Sequence, residues 1–394
     1  MAIARMARFR WAGLHGVLHG TEVAARTAAL AGAGLVILAM CDRIDLAAYT
    51  MFGAFCAAYG GNEQYRTRAR TVAVAGLVNL SAMVAGIGLA LVEATSAARL
   101  VAFALLIAVA VVAAYRYELV PAQPFFPVIS LLVCAVIPVS GWTDAAARIG
   151  IATLATVGSW GLSMSGWLVR RLLRHRPGGM RPSPGGPAIS DSADAQRRLL
   201  LKDLNGVTRV RPLGPARDAI AMTVGLIVGA GVISELIVQA LGLPRSYWAL
   251  VTCASVMPMV GGAVSSKKAV ERVIGTAVGV LLLTMAPALP LPVTIGIIAI
   301  VVSQFFTQLL VAAFYAEALV FITVLVFVSL SYSMPLSDTD LLARLADTAV
   351  GSAVSLVLLA VVSRIVPRVT EPGGLIRRDD ADRCIANREL DKLD

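Results

Sequence analysis

Ionisable and aromatic residues recur at matched positions along this chain. Arg26 and Arg217, Arg70 and Arg272, and Arg148 and Arg344 form three such pairs, Glu118 and Glu317 a fourth, and Tyr49 is matched by Tyr247 and Trp248. The chemistry open to this combination is recognition of an organic anion. A guanidinium stays protonated and presents a planar fork of N–H donors that fits a carboxylate, while an aromatic face can stack an aromatic substrate. In apolar surroundings each arginine is also costly, at about 2.5–3.5 kcal/mol near the centre of a membrane helix, unless it meets a partner or water.

Each pair admits a functional and a structural reading. Arg26 and Arg217 lie in or at the start of equivalent apolar runs, where they either attract an anion near a common axis or snorkel to the interface. Arg70 and Arg272 open equivalent helices, lining an inward vestibule or marking the cytoplasmic side by their charge. Arg148 and Arg344 each follow an aspartate by four residues (Asp144, Asp340), the spacing of an i,i+4 ion pair, with an outer gate as the alternative. Glu118 and Glu317, accompanied by Tyr115, Tyr117 and Tyr315, either bind a coupling proton or pair with basic neighbours. Glu235 and Asp347 are deeper carboxylates without counterparts, placed to meet the outer arginines. Tyr49, Tyr247 and Trp248 form either an interfacial aromatic belt or a stacking surface. Gly275, Thr276 and Gly279 recur at close helical spacing and permit tight helix contact.

The elements that carry these residues follow from composition. Of 394 residues 58% are apolar and 15% charged, and the mean hydropathy is +0.79. An ordinary soluble domain has about 25% charged residues, so the excess of apolar runs near the bilayer-spanning length points to an all-α, polytopic membrane protein. Twelve spans are predicted, at about 23–40, 46–60, 72–92, 98–115, 124–139, 146–168, 217–241, 246–261, 272–288, 291–313, 316–333 and 341–365. Several are short for a hydrocarbon core of about 30 Å, which implies tilting, burial among neighbours or re-entry.

Lys and Arg alternate in number from side to side. With the N-terminus inside, the cytoplasmic stretches hold 28 of them and the outer side five, which favours cytoplasmic N- and C-termini. The net charge of +10 therefore reports topology, and nucleic acid is not an expected partner. Residues 1–22 are basic and amphipathic and read as an interfacial segment rather than a cleavable signal. Residues 23–168 form the first six-helix repeat, 169–216 a basic linker rich in Pro, Gly and Ser, 217–366 the second repeat and 367–394 a cytoplasmic tail.

The repeat rests on an ordered series of matches at offsets of 191 to 202 residues: Ala25-Arg26 with Ala216-Arg217, Ala48-Tyr49 with Ser246-Tyr247, Gly60-Gly61 with Gly261-Gly262, Arg70 with Arg272, Glu118 with Glu317, and DAAAR at 144–148 with DLLAR at 340–344. Six spans is an even number, so the halves insert in the same sense. That makes them parallel repeats around a pseudo-twofold axis along the membrane normal.

Metal and redox chemistry have little footing here. The five cysteines have no CxxC spacing, and His15, His19 and His175 lie in basic flanks without a third ligand nearby, so no metal site or cofactor is expected. No GxxxxGK[ST] loop and no GxSxG elbow occurs, which disfavours an enzyme.

Residues 245–282 (RSYWALVTCASVMPMVGGAVSSKKAVERVIGTAVGVLL) resemble the fusaric acid resistance family, also called aromatic acid exporters. Tyr247-Trp248 ahead of a short apolar helix, the basic loop, and Glu271-Arg272 leading into Gly275-Thr276 and Gly279 carry the likeness, and the six-plus-six layout agrees. The resemblance implies efflux of small organic anions, especially aromatic carboxylates, across the bacterial cytoplasmic (inner) membrane, with a distant kinship to plant malate channels. A proton-coupled exporter is the leading expectation, with a passive anion channel and a non-transporting envelope scaffold as alternatives.

Overall fold

Long runs of Ala, Leu, Val and Ile favour helix wherever water is excluded, because every backbone N–H and C=O is then satisfied within the segment. The computed structural model describes residues 21, 23–60, 63, 65–165, 210–259, 266–285, 289–311 and 314–365. Residues 1–20, most of the 169–216 linker and the 367–394 tail lie outside them, and with these His15, His19, His175, Cys384, Gly61 and the Gly261-Gly262 pair.

The described residues form twelve α-helices and no strand. In chain order they are α1 (Val23–Met40), α2 (Ala47–Ala54), α3 (Tyr65–Leu91), α4 (Ser96–Tyr117), α5 (Phe125–Cys134) and α6 (Trp142–Ser163). Six more follow, α7 (Arg217–Ala240), α8 (Tyr247–Val256), α9 (Ser266–Thr284), α10 (Val293–Leu310), α11 (Tyr315–Ser331) and α12 (Asp338–Ile365). Six of them, α1, α3, α4, α7, α10 and α12, are long and apolar enough to cross a bilayer, and the chain is a multi-pass membrane protein.

The short helices take a different role. With ten residues, α5 and α8 are each about 15 Å long, half a hydrocarbon core. Every residue of α2, α5 and α8 is buried. A helix apolar on all sides belongs inside a bundle, and these three are central posts around which the longer helices stand. Contacts follow one scheme in each half: α2 packs on α6 and α8 on α12, α3 on α5 and α9 on α11, α3 on α6 and α9 on α12. The halves meet where α4 packs on α7, α5 on α8 and α2 on α11.

Glycines set the closest of these approaches. A Cβ on Gly275 of α9 would strike the Ala316 carbonyl and lie 2.8 Å from the Leu319 Cβ of α11, and one on Gly279 would lie 2.7 Å from the Thr323 Cβ. Gly351 of α12 likewise lies against α8, where a Cβ would sit 2.8 Å from the Ala249 carbonyl oxygen. The packing role expected of Gly275 and Gly279 is therefore met, and Gly351 adds a third close contact around α8.

Candidate functional site

The two tight contacts position a buried charged cluster. The approach of α11 to α9 brings the Tyr315 hydroxyl within 3.0 Å of Nη1 of Arg272, which donates to it. Nε of the same guanidinium donates to Oγ1 of Thr252 on α8 at 3.3 Å, and its carbon lies 5.2 Å from the ring centroid of Phe125 on α5. Arg272 is fully buried and thus touches helices of both halves. Nη2 has no hydrogen-bond acceptor among the described residues.

One turn back along α8, Trp248 shares a face with Thr252 at i,i+4 spacing. The approach of α12 lays Arg344 over the indole, 3.9 Å from guanidinium carbon to ring centroid. Phe327 stacks on Trp248 at 5.8 Å and 22°. Arg344 is 1% exposed, and its Nε and Nη1 lack any acceptor among the described residues. One turn deeper on the same face of α12 lies Asp347, fully buried, with neither carboxylate oxygen hydrogen-bonded among the described residues. Glu235 of α7 is 4% exposed; its Oε1 accepts from Ser246 Oγ at 2.6 Å and from Gln239 Nε2 at 2.8 Å, while Oε2 is unpartnered.

Both guanidinium groups keep open N–H donors, the kind of donor that pairs with a carboxylate, and Trp248, Tyr315 and Phe125 border them. The cation–π contact stabilises Arg344 without consuming its N–H groups, which stay available to an anion.

In the first half Arg148 and Arg70 have partners of their own. Arg148 donates to the Tyr49 hydroxyl at 2.9 Å and pairs with Asp144 at 2.8 Å. Asp144 also accepts from the Ser140 amide at 3.0 Å. Arg70 is half-buried, 5.0 Å from the Tyr117 ring centroid. Tyr49–Arg148 answers to Trp248–Arg344, and Arg70–Tyr117 to Arg272–Tyr315.

Several expectations need correction. The i,i+4 pair forms at Asp144–Arg148 but not at Asp340–Arg344. Asp340 lies in the first turn of α12, and Arg245, in the α7–α8 connection, takes it at 2.5 Å from Nε and 3.2 Å from Nη2. Burial opposes the charge on Arg245, yet the hydrogen bond and charge of Asp340 outweigh it and hold its pKa above the ordinary guanidinium value. Arg217 is exposed at the start of α7, and Arg26 is half-buried in a small recess with Tyr59, Arg68 and Ser163. Neither joins the cluster, because one helical position decides whether a side chain faces the seam or the rim. Glu118 caps the end of α4 in the left-handed region and pairs with Arg211 at 2.5 Å, and Glu317 is exposed. Tyr49, Tyr247 and Trp248 are buried rather than arrayed as an interfacial belt. Glu235 and Asp347 form no ion pair with the outer arginines among the described residues.

Thr252, Phe125 and Tyr315 are the contacts that sequence reasoning did not assign. Only Tyr315 carried a signal, as one of the tyrosines that accompany Glu118 and Glu317.

Every member of the cluster except Phe125 falls within residues 230–358, and that span matches the model of a known family. The span is fusaric acid resistance protein-like. The match contains the 245–282 motif on which the sequence resemblance stands and extends it across α8 to α12, so the fusaric acid resistance-like part of the chain is the part that carries the open arginines. No curated protein and no solved structure matches the chain.

Proposed function

We propose that this protein is a transporter that exports small organic anions, aromatic carboxylates among them, and that Arg272 and Arg344 bind the anion. The observation that carries the reading is the pair of fully enclosed guanidinium groups with unpartnered donors on α9 and α12. A buried arginine without an acidic partner is expensive, and the cost is offset when a carboxylate completes its hydrogen bonds. The fusaric acid resistance-like match over 230–358 supports efflux as the direction. Trp248, Tyr315 and Phe125 supply apolar and aromatic walls for the body of the substrate.

Two parallel six-helix repeats, with both termini cytoplasmic, fit the matched Arg–aromatic pairs of the two halves and the 28-to-5 distribution of basic residues. In that orientation Arg272 lies toward the cytoplasmic end of the seam and Arg344 toward the outer end, so an anion passes from one to the other along α8. The site is shut off from bulk water, which fits a carrier in an occluded conformation better than a continuously open channel. In the first repeat Asp144 occupies its arginine, which leaves transport to the second.

Reconstituted vesicles loaded with labelled benzoate test this. Efflux should be saturable and should fall at least about tenfold in Arg272→Gln and in Arg344→Gln, the loss expected when about 1.5–3 kcal/mol of charge-assisted hydrogen bonding is removed. Unchanged efflux in both variants, with protein correctly inserted, rejects the assignment.

A further inference from the structure

Asp347 plays no part in binding an anion directly, yet it lies inside the cluster beside Arg344. It is fully buried, and neither oxygen receives a hydrogen bond from the described residues. A carboxylate left without donors in a membrane interior is far costlier than the neutral acid. We propose that Asp347 is the proton-binding group of this transporter, and that a proton on Asp347 and an organic anion on Arg344 reinforce each other's binding. The inference rests on the anion site proposed above and assigns its coupling ion and the residue that takes it.

The surroundings define the charge balance. On α12 itself, Arg344 stands one turn away at i,i+3 spacing, and Asp340, further out, is engaged by Arg245. From α7 Glu235 faces the group, with Oε2 unpartnered. Around Arg344, its charged neighbour, stand Arg272 of α9, Tyr247 of α8 and Tyr315 of α11, while Cys253 of α8 faces Arg272. Two cations and two carboxylates are enclosed together. With both acids ionised the cluster is neutral, and an arriving anion would leave it negative in a low-dielectric interior. With a proton on Asp347 the cluster carries one positive charge, which the anion neutralises.

The proton comes from water on the side to which the site is open and returns to water when the anion leaves, so one proton and one monoanion cross together, and export runs on the outward gradient of the anion rather than on the inward proton gradient. Linkage makes the effect reciprocal: the anion tightens proton binding by the factor by which the proton tightens anion binding. Glu118 and Glu317 have no share in this, the first paired with Arg211 and the second exposed.

Benzoate binding to the purified full-length chain, followed by calorimetry between about pH 6 and about pH 8, tests the proposal. Benzoate remains ionised throughout that range. Wild-type affinity should rise about fivefold or more from the alkaline to the acidic end, with net proton uptake on benzoate addition in a weakly buffered solution read by a pH dye. Asp347→Asn should bind benzoate with an affinity independent of pH and take up no proton, and Glu235→Gln should still take one up. Proton uptake that persists in Asp347→Asn overturns the assignment to Asp347. Wild-type binding that neither varies with pH nor takes up a proton overturns it as well, even where Asp347→Asn does not fold. Absence of benzoate binding by wild type at every pH instead overturns the anion site itself, and the coupling proposal with it.

Discussion

The guanidinium of Arg344 lies 3.9 Å from the centroid of the Trp248 ring. This contact ties α12 to α8 and fixes a buried cation through a π face rather than an acid, so the donors of Arg344 remain open. A desolvated cation–π contact is worth about 2 kcal/mol. Trp248→Leu should therefore weaken benzoate binding about 30-fold, and Trp248→Phe, which keeps an aromatic face, by less. Equilibrium binding to the purified variants checks the order, and equal loss in both would show that packing rather than the π face matters.

Arg272 is held differently, by the hydroxyls of Tyr315 and Thr252. Tyr315→Phe removes one hydrogen bond to a charged group without removing the ring. The expected loss in benzoate affinity is about tenfold, from about 1.5 kcal/mol or more. Arg272→Lys should do worse, since a point charge on a flexible stem does not reproduce the fork. Efflux rates with and without these substitutions decide it, and a Tyr315→Phe variant that transports like wild type would show that Arg272 is positioned by α8 alone.

Which parts of this arrangement were legible in the sequence follows from what hydropathy records. It marks where apolar residues begin, not where helical hydrogen bonding begins, so α3 starts at Tyr65 rather than near 72 because Arg66, Arg68 and Arg70 sit within its first turns. The opposite error occurs at α8, which ends at Val256 because Met257 turns extended ahead of Pro258. The twelve helices were visible as apolar runs, and the short ones as runs too brief to span. Arg272 and Arg344 were visible by type, but Arg26 and Arg217 looked equivalent to them, since position along a chain does not say which face of a helix meets the seam. The Arg245–Asp340 pair joins residues 95 positions apart and overrode a local i,i+4 spacing that the sequence favoured.

The helix contacts that build the site should be sensitive to a single methyl group. A Cβ at Gly275 would meet the Ala316 carbonyl, a backbone atom that cannot swing aside, and one at Gly351 would meet that of Ala249. Overpacking of this kind costs about 1–3 kcal/mol. Gly275→Ala and Gly351→Ala should lower the midpoint of thermal unfolding in detergent, whereas Gly225→Ala and Gly229→Ala, with open space around both positions, should not. If all four variants melt together, the close approach of α9 to α11 and of α12 to α8 is not what holds the cluster in place.

The first half offers the sharpest contrast, because Arg148 has what Arg344 lacks. Two of its guanidinium nitrogens are engaged, by Asp144 at 2.8 Å and by the Tyr49 hydroxyl at 2.9 Å, while Nε has no acceptor among the described residues, and Arg43 adds a longer contact to Asp144 at 3.7 Å. An arginine already engaged by an acid has little to offer a substrate anion, so Arg148→Gln should cost stability, about 1–3 kcal/mol, and leave benzoate affinity within about twofold of wild type. Asp144→Asn releases the guanidinium without removing it. In that variant Arg148 gains open donors like those of Arg344, and a second, weaker benzoate site should become measurable by calorimetry. A stoichiometry that stays at one anion per chain in Asp144→Asn would mean that the carboxylate is not what keeps Arg148 from an anion.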